Sequence, residues 1–468
     1  MADDSKLHIG LFPWLAFGHM IPYLEFAKAI AKKGHTITFI STPRNIDRLP
    51  KLPPEISPLI SFVKLPLPSV DGLPEDAEAT TDLPYDKVQY LKKAFDSLKQ
   101  PLTTFLQTCD IDWLFYDFAP YWLPDVASGI GISHGFFSIF LAAVPCIIAK
   151  PPWLLKDDRS EPEEFTVPPK WVTFPSKVAF KLFEITKIFE SVVGDASDVS
   201  DLFRFSEVLK GSEIIAVRSS LEFEPEWLNL LEEIFGKPCI TVGMLPTTEH
   251  DGDESETWIE IKQWLDRQEK KSVVYVAFGS EAKPNQIELT EIAAGLELSG
   301  LPFFWVLRKR RGIYDTEVIE LPEGFEERTK GRGIVWNTWA PQLKILSHDS
   351  VGGFLTHSGW SSVVEASIYE RPLILLTFLA DQGINARLLE EKKMGYPIPR
   401  NEKDGYFSGE NVAESLKMVV VEEEGQIYRD KAKEMKLLFT EQTRQDMYVD
   451  QFVHHLQRNR RTKNKLLA

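Results

Sequence analysis

His19 and Asp117 are the two side chains whose type and local sequence suit them to move a proton. His19 stands in Gly18-His19-Met20-Ile21-Pro22, on the loop expected after a first buried strand and directly before a helix. Ligands of α/β folds gather outside the carboxyl ends of strands, and an imidazole titrates near neutral pH. Asp117 follows the apolar run WLFY at 113–116. A carboxylate there can hold a histidine tautomer and stabilise the imidazolium, or serve only as a turn former or helix cap. The local sequence is compatible with both. Asp110 and Asp112, just upstream, read as solvating the entrance to the strand.

A second constellation occupies residues 336–391, WNTWAPQLKILSHDSVGGFLTHSGWSSVVEASIYERPLILLTFLADQGINARLLEE. The run 352–356 is a buried-strand candidate, and 357–362 turns sharply out of it. Residues 363–369 then carry Glu365 into a helix. A second apolar run, 372–378, leads to Asp381 and Gln382 and to a helix from Asn385. At Gly359, backbone N–H groups opening a helix make a site for an anionic phosphate, with Ser361 and Ser362 adding hydroxyl donors. Ser280, at the end of the apolar run 272–278, occupies the parallel position in an earlier strand–turn unit. Each of these residues also has a structural reading. Ser280 can cap a helix, His357 can be a satisfied core histidine, Trp339 can be core, and Glu365 can cap its helix reciprocally with Ser362.

Strands and helices must alternate to position these groups. Residues 7–12 read as a first strand and 14–20 as a loop. Ile21, Leu24, Ala27 and Ile30 follow helical spacing, with Pro22 placed in a tolerant first turn. Lys32, Lys33 and Gly34 close the helix, and 35–41 is the next strand: a βαβ unit opening a parallel sheet. Further strands are expected near 60–65, 113–116, 136–140, 214–218, 239–242 and 272–278. Helices are expected over 85–109, 177–208, 258–267 and 411–456, and proline-rich loops over 50–85 and 150–170. The acidic, apolar-poor run 247–256 is the linker candidate. The expected organisation is a first domain at 1–246, a linker at 247–257, a second domain at 258–440, and a C-terminal helix with basic tail at 441–468 that packs back on the first domain.

Bulk composition narrows the function classes. The 468 residues are enough for two or three domains, and 43% hydrophobic with 26% charged is ordinary globular composition. A formal charge of −16 argues against nucleic acid or an anionic membrane as partner. It does not prevent a helix terminus from holding phosphate locally. Three scattered cysteines, Cys109, Cys146 and Cys239, have no metal or redox spacing and suit a reducing compartment. The acidic opening MADDSKLHIGLF does not read as a secretory signal, and no run of 18 apolar residues occurs. The cytoplasm and a monomer are the expectations.

The 336–391 stretch resembles the signature box of plant family-1 glycosyltransferases, which move sugars from UDP-sugars to small molecules. The match runs through Trp339-Ala340-Pro341-Gln342, His357-Ser358-Gly359-Trp360-Ser361-Ser362, Glu365 and Asp381-Gln382, with the spacing between anchors kept throughout. Most of the family has asparagine at position 361. The serine here is familiar in the branch that extends existing glycosides, and the N-terminal half resembles that branch too.

The resemblance implies an α/β, GT-B fold: two Rossmann-like βαβ domains facing each other across a cleft. It implies His19 as the base for the acceptor hydroxyl, Asp117 as its partner, and a single displacement that inverts configuration. Ser280, His357, Gly359, Trp360, Ser361 and Ser362 would hold the diphosphate. Trp339 would stack on uracil, Ala340 and Gln342 would pair with its edge, and Glu365 would accept the ribose hydroxyls. Asp381 and Gln382 would read the sugar, with Ser138 a further contact from the other domain. Trp14, Phe17, Phe118, Trp122, Phe137, Phe140 and Ala380 are the candidate acceptor pocket. UDP-glucose is the first expectation for the donor and UDP-rhamnose the second; the acceptor is a flavonoid or terpenoid glycoside. No cofactor and no metal are expected, because the acidic triplets at 110–112 and 251–253 do not adjoin the donor site. A nicotinamide-dependent oxidoreductase is disfavoured by the absence of GxGxxG at residues 12–18. A non-catalytic UDP-sugar binder is disfavoured by the presence of both His19 and Asp117.

Overall fold

Short apolar runs alternating with helices can pair in parallel only through helical crossovers, and the computed structural model contains two such sheets. It describes residues 6–149, 151–152, 159, 161–192, 196–247 and 255–461. The chain divides into two compact units. One comprises Met1–Asp157, Gly194–Leu245 and Glu441–Ala468; the other comprises Asp158–Val193 and Pro246–Thr440.

In the first unit β1 (His8–Phe12), β2 (Thr36–Ser41), β3 (Ile60–Lys64), β4 (Trp113–Tyr116), β5 (Ser133–Ser138), β6 (Ile214–Val217) and β7 (Cys239–Thr241) form one sheet. Their order is β3-β2-β1-β4-β5-β6-β7. All pairs are parallel, with Ile9 opposite Ile37 on one side and Trp113 on the other. The strand order reverses between β1 and β4. Such a switch point opens a crevice at the strand ends, and the segments leaving these two strands carry His19 and Asp117.

Helix Phe17–Lys32 buries Met20, Tyr23, Leu24, Ala27 and Ile30. It starts five residues earlier than Pro22, so the proline lies inside it. A proline there cannot donate to the carbonyl of Gly18. The helix Gln442–Arg458 also belongs to this unit. Phe452 packs against Phe26 and Phe115 with centroids 5.3 Å from each, and Trp113 Nε1 donates to the carbonyl of Leu456 at 3.1 Å.

In the second unit β8 (Val273–Ala277), β9 (Phe303–Val306), β10 (Gly333–Trp336), β11 (Val351–Thr356), β12 (Leu373–Leu375) and β13 (Gly395–Pro397) form a parallel sheet ordered β10-β9-β8-β11-β12-β13. Here the switch lies between β8 and β11. Ser280 follows the first of these strands and the 357–362 turn follows the second.

Several expected elements differ. The helical period over 177–208 is two helices, Leu182–Val192 and Asp201–Gly211, which fall in different units. Ser200 caps the second by accepting from the N–H of Phe203 at 3.2 Å. The first joins the second unit because Phe183 lies under the Arg400 guanidinium, 4.4 Å from it. A first domain running unbroken over 1–246 is therefore not what forms. Residues 85–109 likewise split into helices Val88–Asp96 and Lys99–Thr108. Of the linker at 247–257, residues 248–254 lie outside the described residues, as do 462–468 of the tail. Ser255 caps helix Glu256–Leu265 by accepting from the N–H of Trp258. Among the described residues, no helix is long and apolar enough to cross a membrane.

Candidate active site

His19 sits in the first turn of its helix rather than in a loop before it, with its N–H donating to the carbonyl of Ala16 at 2.9 Å. Its Nδ1 is 2.7 Å from Asp117 Oδ2. Asp117 is fully buried, and a carboxylate taken from water needs donors in its place. Trp14 N–H donates to Oδ2 at 3.2 Å and Phe118 N–H to Oδ1 at 2.7 Å. Asp117 is thus both the turn former and the histidine's partner. With an ionised carboxylate accepting at Nδ1, that nitrogen carries the proton and Nε2 is the basic one.

The turn after β4 is braced from below. Arg204, fully buried, donates to both oxygens of Asp96 at 2.7 and 2.6 Å, to the carbonyl of Ala119 at 2.9 Å and to Ser197 Oγ at 2.9 Å. Phe118 and Phe140 each place a ring centroid 5.6 Å from that of His19. Phe205 packs behind both, 6.5 Å from Phe118 and 5.8 Å from Phe140. Sequence reasoning passed over Arg204 and Phe205, because neither differs by pattern from an ordinary amphipathic helix.

Not every aromatic residue expected beside His19 is there. Phe137 is buried in the core, stacked on Phe26 at 4.3 Å, because alternation along β5 sends it away from its neighbour Phe136. Trp122 is buried behind Phe12, 6.5 Å away. Phe17 is partly buried, with the Arg48 guanidinium 5.0 Å from its ring. Trp14 is buried against Phe95 and Phe118. Ser138 is fully buried, and its hydroxyl donates to the carbonyl of Phe140 at 3.0 Å. Asp112 does not solvate the strand. It accepts from His8 N–H at 2.8 Å and from Arg460 Nε at 2.9 Å. The triplet at 251–253 lies outside the described residues.

In the second unit His357 is held between two glycines. A Cβ on Gly279 would stand 2.8 Å from its Cε1, and one on Gly359 would stand 2.9 Å from the same atom. Gly279 also has φ +72, which favours glycine in any case. Ser358 adopts φ +70 with its hydroxyl buried and without a hydrogen-bond partner among the described residues. A strained non-glycine residue marks a turn that its surroundings over-determine. Helix Trp360–Ile368 starts directly after it, with Gly359 as N-cap and no side-chain cap. Glu365 is therefore not a reciprocal cap for Ser362. Ser361 is half-buried, Ser362 is buried, and Trp360 packs against Phe439 at 6.2 Å. Ser280 lies in a turn, and the helix that follows is capped by Asn285 instead.

Glu365 accepts from neighbouring side chains of its unit. Gln342 Nε2 donates to Oε2 at 2.6 Å and Thr247 Oγ1 to Oε1 at 3.1 Å. Gln342 also donates to Ser362 Oγ at 3.3 Å and accepts from Tyr275 at 3.2 Å, so its amide faces this cluster. Trp339 is 65% exposed and Ala340 buried; the tryptophan is a surface platform and not core. At the end of β12, Ala380 has φ +54. Gln382 Oε1 accepts from the N–H groups of Phe378 and Leu379 at 2.8 and 3.1 Å. Asp381 Oδ2 accepts from Asn385 at 2.7 Å.

Burial pushes the imidazoles of His357 and His134 down to about 4. His134 is paired with Tyr116 and Ser128, each at 2.8 Å. An unfolded chain takes up a proton on each below about pH 6.5, the folded chain only near 4. Their contribution is thus intact above 6.5 and lost as pH falls towards 4. The urea midpoint should decline across that window. His134→Gln, which keeps hydrogen-bonding capacity without titrating, should flatten part of the decline; an unaltered slope would take His134 out of it.

Known proteins resemble this chain along nearly its whole length. Residues 243–449 match the family described as UDP-glucoronosyl and UDP-glucosyl transferase. The chain is 54% identical over 463 residues to UDP-glycosyltransferase 91A1 of Arabidopsis thaliana, covering 98% of each. It is 40% identical over 464 residues to soyasaponin III rhamnosyltransferase of Glycine max, covering 98% of this chain and 97% of that one. Among solved structures, Phytolacca americana UGT2 complexed with UDP-2fluoro-glucose and pterostilbene superposes with a TM-score of 0.73 at 26% identity, covering 96% of this chain and 99% of that one. The fold is accordingly GT-B, the activity is UDP-sugar transfer to small-molecule acceptors, and the oxidoreductase alternative is set aside. On this evidence of sequence and fold together, the chain belongs to the plant family-1 UDP-glycosyltransferases.

Proposed function

We propose that this enzyme extends glycosides: it moves a sugar from a UDP-sugar, UDP-glucose before UDP-rhamnose, to a hydroxyl on the sugar of a flavonoid or terpenoid glycoside. The observation that carries the chemistry is the 2.7 Å bond between His19 and the fully buried Asp117. His19 Nε2 takes the acceptor proton as the acceptor oxygen attacks the anomeric carbon. The bond to UDP breaks on the opposite face, and configuration inverts. Asp117 stabilises the imidazolium that forms.

The second unit holds the donor. The 357–362 turn and Ser280 supply preorganised donors for charge gathering on the departing diphosphate. Trp339 stacks on uracil beside Ala340, and Glu365 takes the ribose hydroxyls. Gln342 supports Glu365 in addition to any contact with the base. Asp381 and Gln382 read the sugar. On the acceptor side Phe118 and Phe140, with Trp14 behind Phe118, offer an apolar wall to a flat or fused-ring aglycone. No metal is needed for any of these steps, and the enzyme works as a cytoplasmic monomer.

The likeness to a soyasaponin rhamnosyltransferase supports an acceptor that already bears a sugar, and Gln382 supports glucose as donor. The test is a panel of UDP-glucose, UDP-rhamnose, UDP-xylose and UDP-galactose against flavonoid and terpenoid glycosides and their free aglycones, read by mass shift. Glycosides should gain one sugar from UDP-glucose faster than the aglycones do. Preference for free aglycones would overturn the glycoside-extending assignment.

A further inference from the structure

Glu184 lies outside both sequence constellations, in helix Leu182–Val192, yet its carboxylate reaches the turn that carries Asp381 and Gln382. It is 7% exposed. Thr377 Oγ1 donates to Glu184 Oε1 at 2.6 Å, and the N–H of Lys181 donates to Oε2 at 2.9 Å. The Arg387 guanidinium lies 3.8 Å from Oε1. On the far side of the turn, a Cβ added to Gly383 would stand 2.6 Å from Glu184 Cδ. Glycine at 383 is what lets the carboxylate lie against the first turn of helix Gln382–Glu391, where the helix dipole favours negative charge.

Thr377 and Gly383 are the two ends of the segment that presents Asp381 and Gln382, and Glu184 touches both. The carbonyl of Thr377 is fixed as well, accepting from Arg400 Nη1 at 2.6 Å. Between these ends, the segment turns through Ala380 at φ +54 and closes on Gln382 Oε1. The hydrogen bond to Thr377 and the packing on Gly383 relate this segment to helix Leu182–Val192 through Glu184.

We propose that Glu184 is a positioning residue for donor-sugar selection: by holding Thr377 and the start of helix Gln382–Glu391, it sets where Asp381 and Gln382 stand and so which pattern of sugar hydroxyls is accepted. The inference rests on the reading of those two residues as sugar readers. Discrimination by hydrogen bonds depends on small displacements, because a misplaced polar group leaves a partner unpaired. The uracil and ribose contacts proposed for Trp339 and Glu365 lie on other elements, so binding of UDP itself should not depend on Glu184.

The experiment compares full-length wild type with Glu184→Ala, Glu184→Gln, Thr377→Val and the Glu184→Ala/Thr377→Val double variant. It measures kcat/KM for UDP-glucose, UDP-galactose, UDP-xylose and UDP-rhamnose with one acceptor, and the inhibition constant of UDP alone. Glu184→Ala and Thr377→Val should each change the ratio between the best donor and the next by about tenfold or more. The double variant should add little to either. UDP inhibition should stay within about twofold. Glu184→Gln, which keeps an acceptor for Thr377, should retain most of the wild-type preference.

Equal loss with every donor, UDP inhibition weakening in step with turnover, or wild-type donor ratios in both single variants would each overturn the proposal. Asp381→Ala separates the two levels. Wild-type donor ratios in that variant would remove the sugar-reading assignment and the proposal with it. Altered ratios there, with unaltered ratios in Glu184→Ala and Thr377→Val, would remove Glu184 alone.

Discussion

Replacing His19 by alanine should lower kcat by about 10²–10⁴-fold while leaving the affinity for UDP unchanged. The size follows from the arrangement around the ring. Asp117 has no access to water and accepts from two backbone N–H groups as well as from His19 Nδ1, so the imidazole is fixed in orientation and in tautomer before substrate arrives. An acceptor hydroxyl is a poor nucleophile until its proton has somewhere to go. Water in the space left by alanine can take that proton, but without the pairing to a buried carboxylate. Turnover measured by mass spectrometry and UDP affinity measured by calorimetry separate the two effects. Normal turnover would remove His19 from the role of base, and a parallel loss of UDP affinity would point to misfolding.

Arg204→Ala should cost the folded protein about 3 kcal/mol, the lower end of the range for breaking a buried ion pair. The lower end applies because the Asp96 side chain retains 18% of its exposure. Arg204 itself has none, and its five-donor fork reaches Asp96, Ala119, Ser197 and Val199. Removing it leaves the Asp96 carboxylate without its charged partner, in addition to a cavity; the Ala119 carbonyl keeps the N–H of Tyr121 at 2.9 Å. For a unit of this size the melting temperature should fall by about 6–12 °C. Arg204→Lys should recover only part of this, since a point charge cannot serve several acceptors spread around a planar fork. A melting temperature within about 1 °C of wild type would show that water takes over these contacts.

The parallel βα architecture was legible because apolar runs of four to six residues ended in turn signals, and because the first helix kept its 3.6-residue period from Ile21 to Ile30. The partnership of His19 and Asp117 was legible as a possibility only. Two residues 98 apart in sequence meet because β1 and β4 are neighbours, and strand order is set by long-range packing that no local pattern encodes. The same limit hid Arg204, Phe205 and Glu184, each on a helix whose polar and apolar spacing suits an ordinary surface.

Phe137 failed for a different reason. It was expected beside His19 with the other pocket aromatics, but the two-residue period of β5 turns it to the other face. The continuous helix expected over 177–208 failed because its period persists on both sides of a break at which the chain changes units. Gln342 was read for a base edge, and its amide is in addition committed to Glu365. That commitment depends on a contact between residues 23 positions apart.

The return of helix Gln442–Arg458 to the first sheet bears on how this protein can be cut and recombined. Gln445 accepts from the N–H of Met244 at 2.8 Å, Tyr448 is bonded to the backbone of Leu221 at 3.0 Å, and Phe452 and Leu456 are fully buried. A fragment stopping near residue 246 would expose the surface these side chains cover. Chimaeras that exchange the first unit between relatives would therefore need to move residues 441–458 with it, and return 158–193 to whichever parent supplies the second unit.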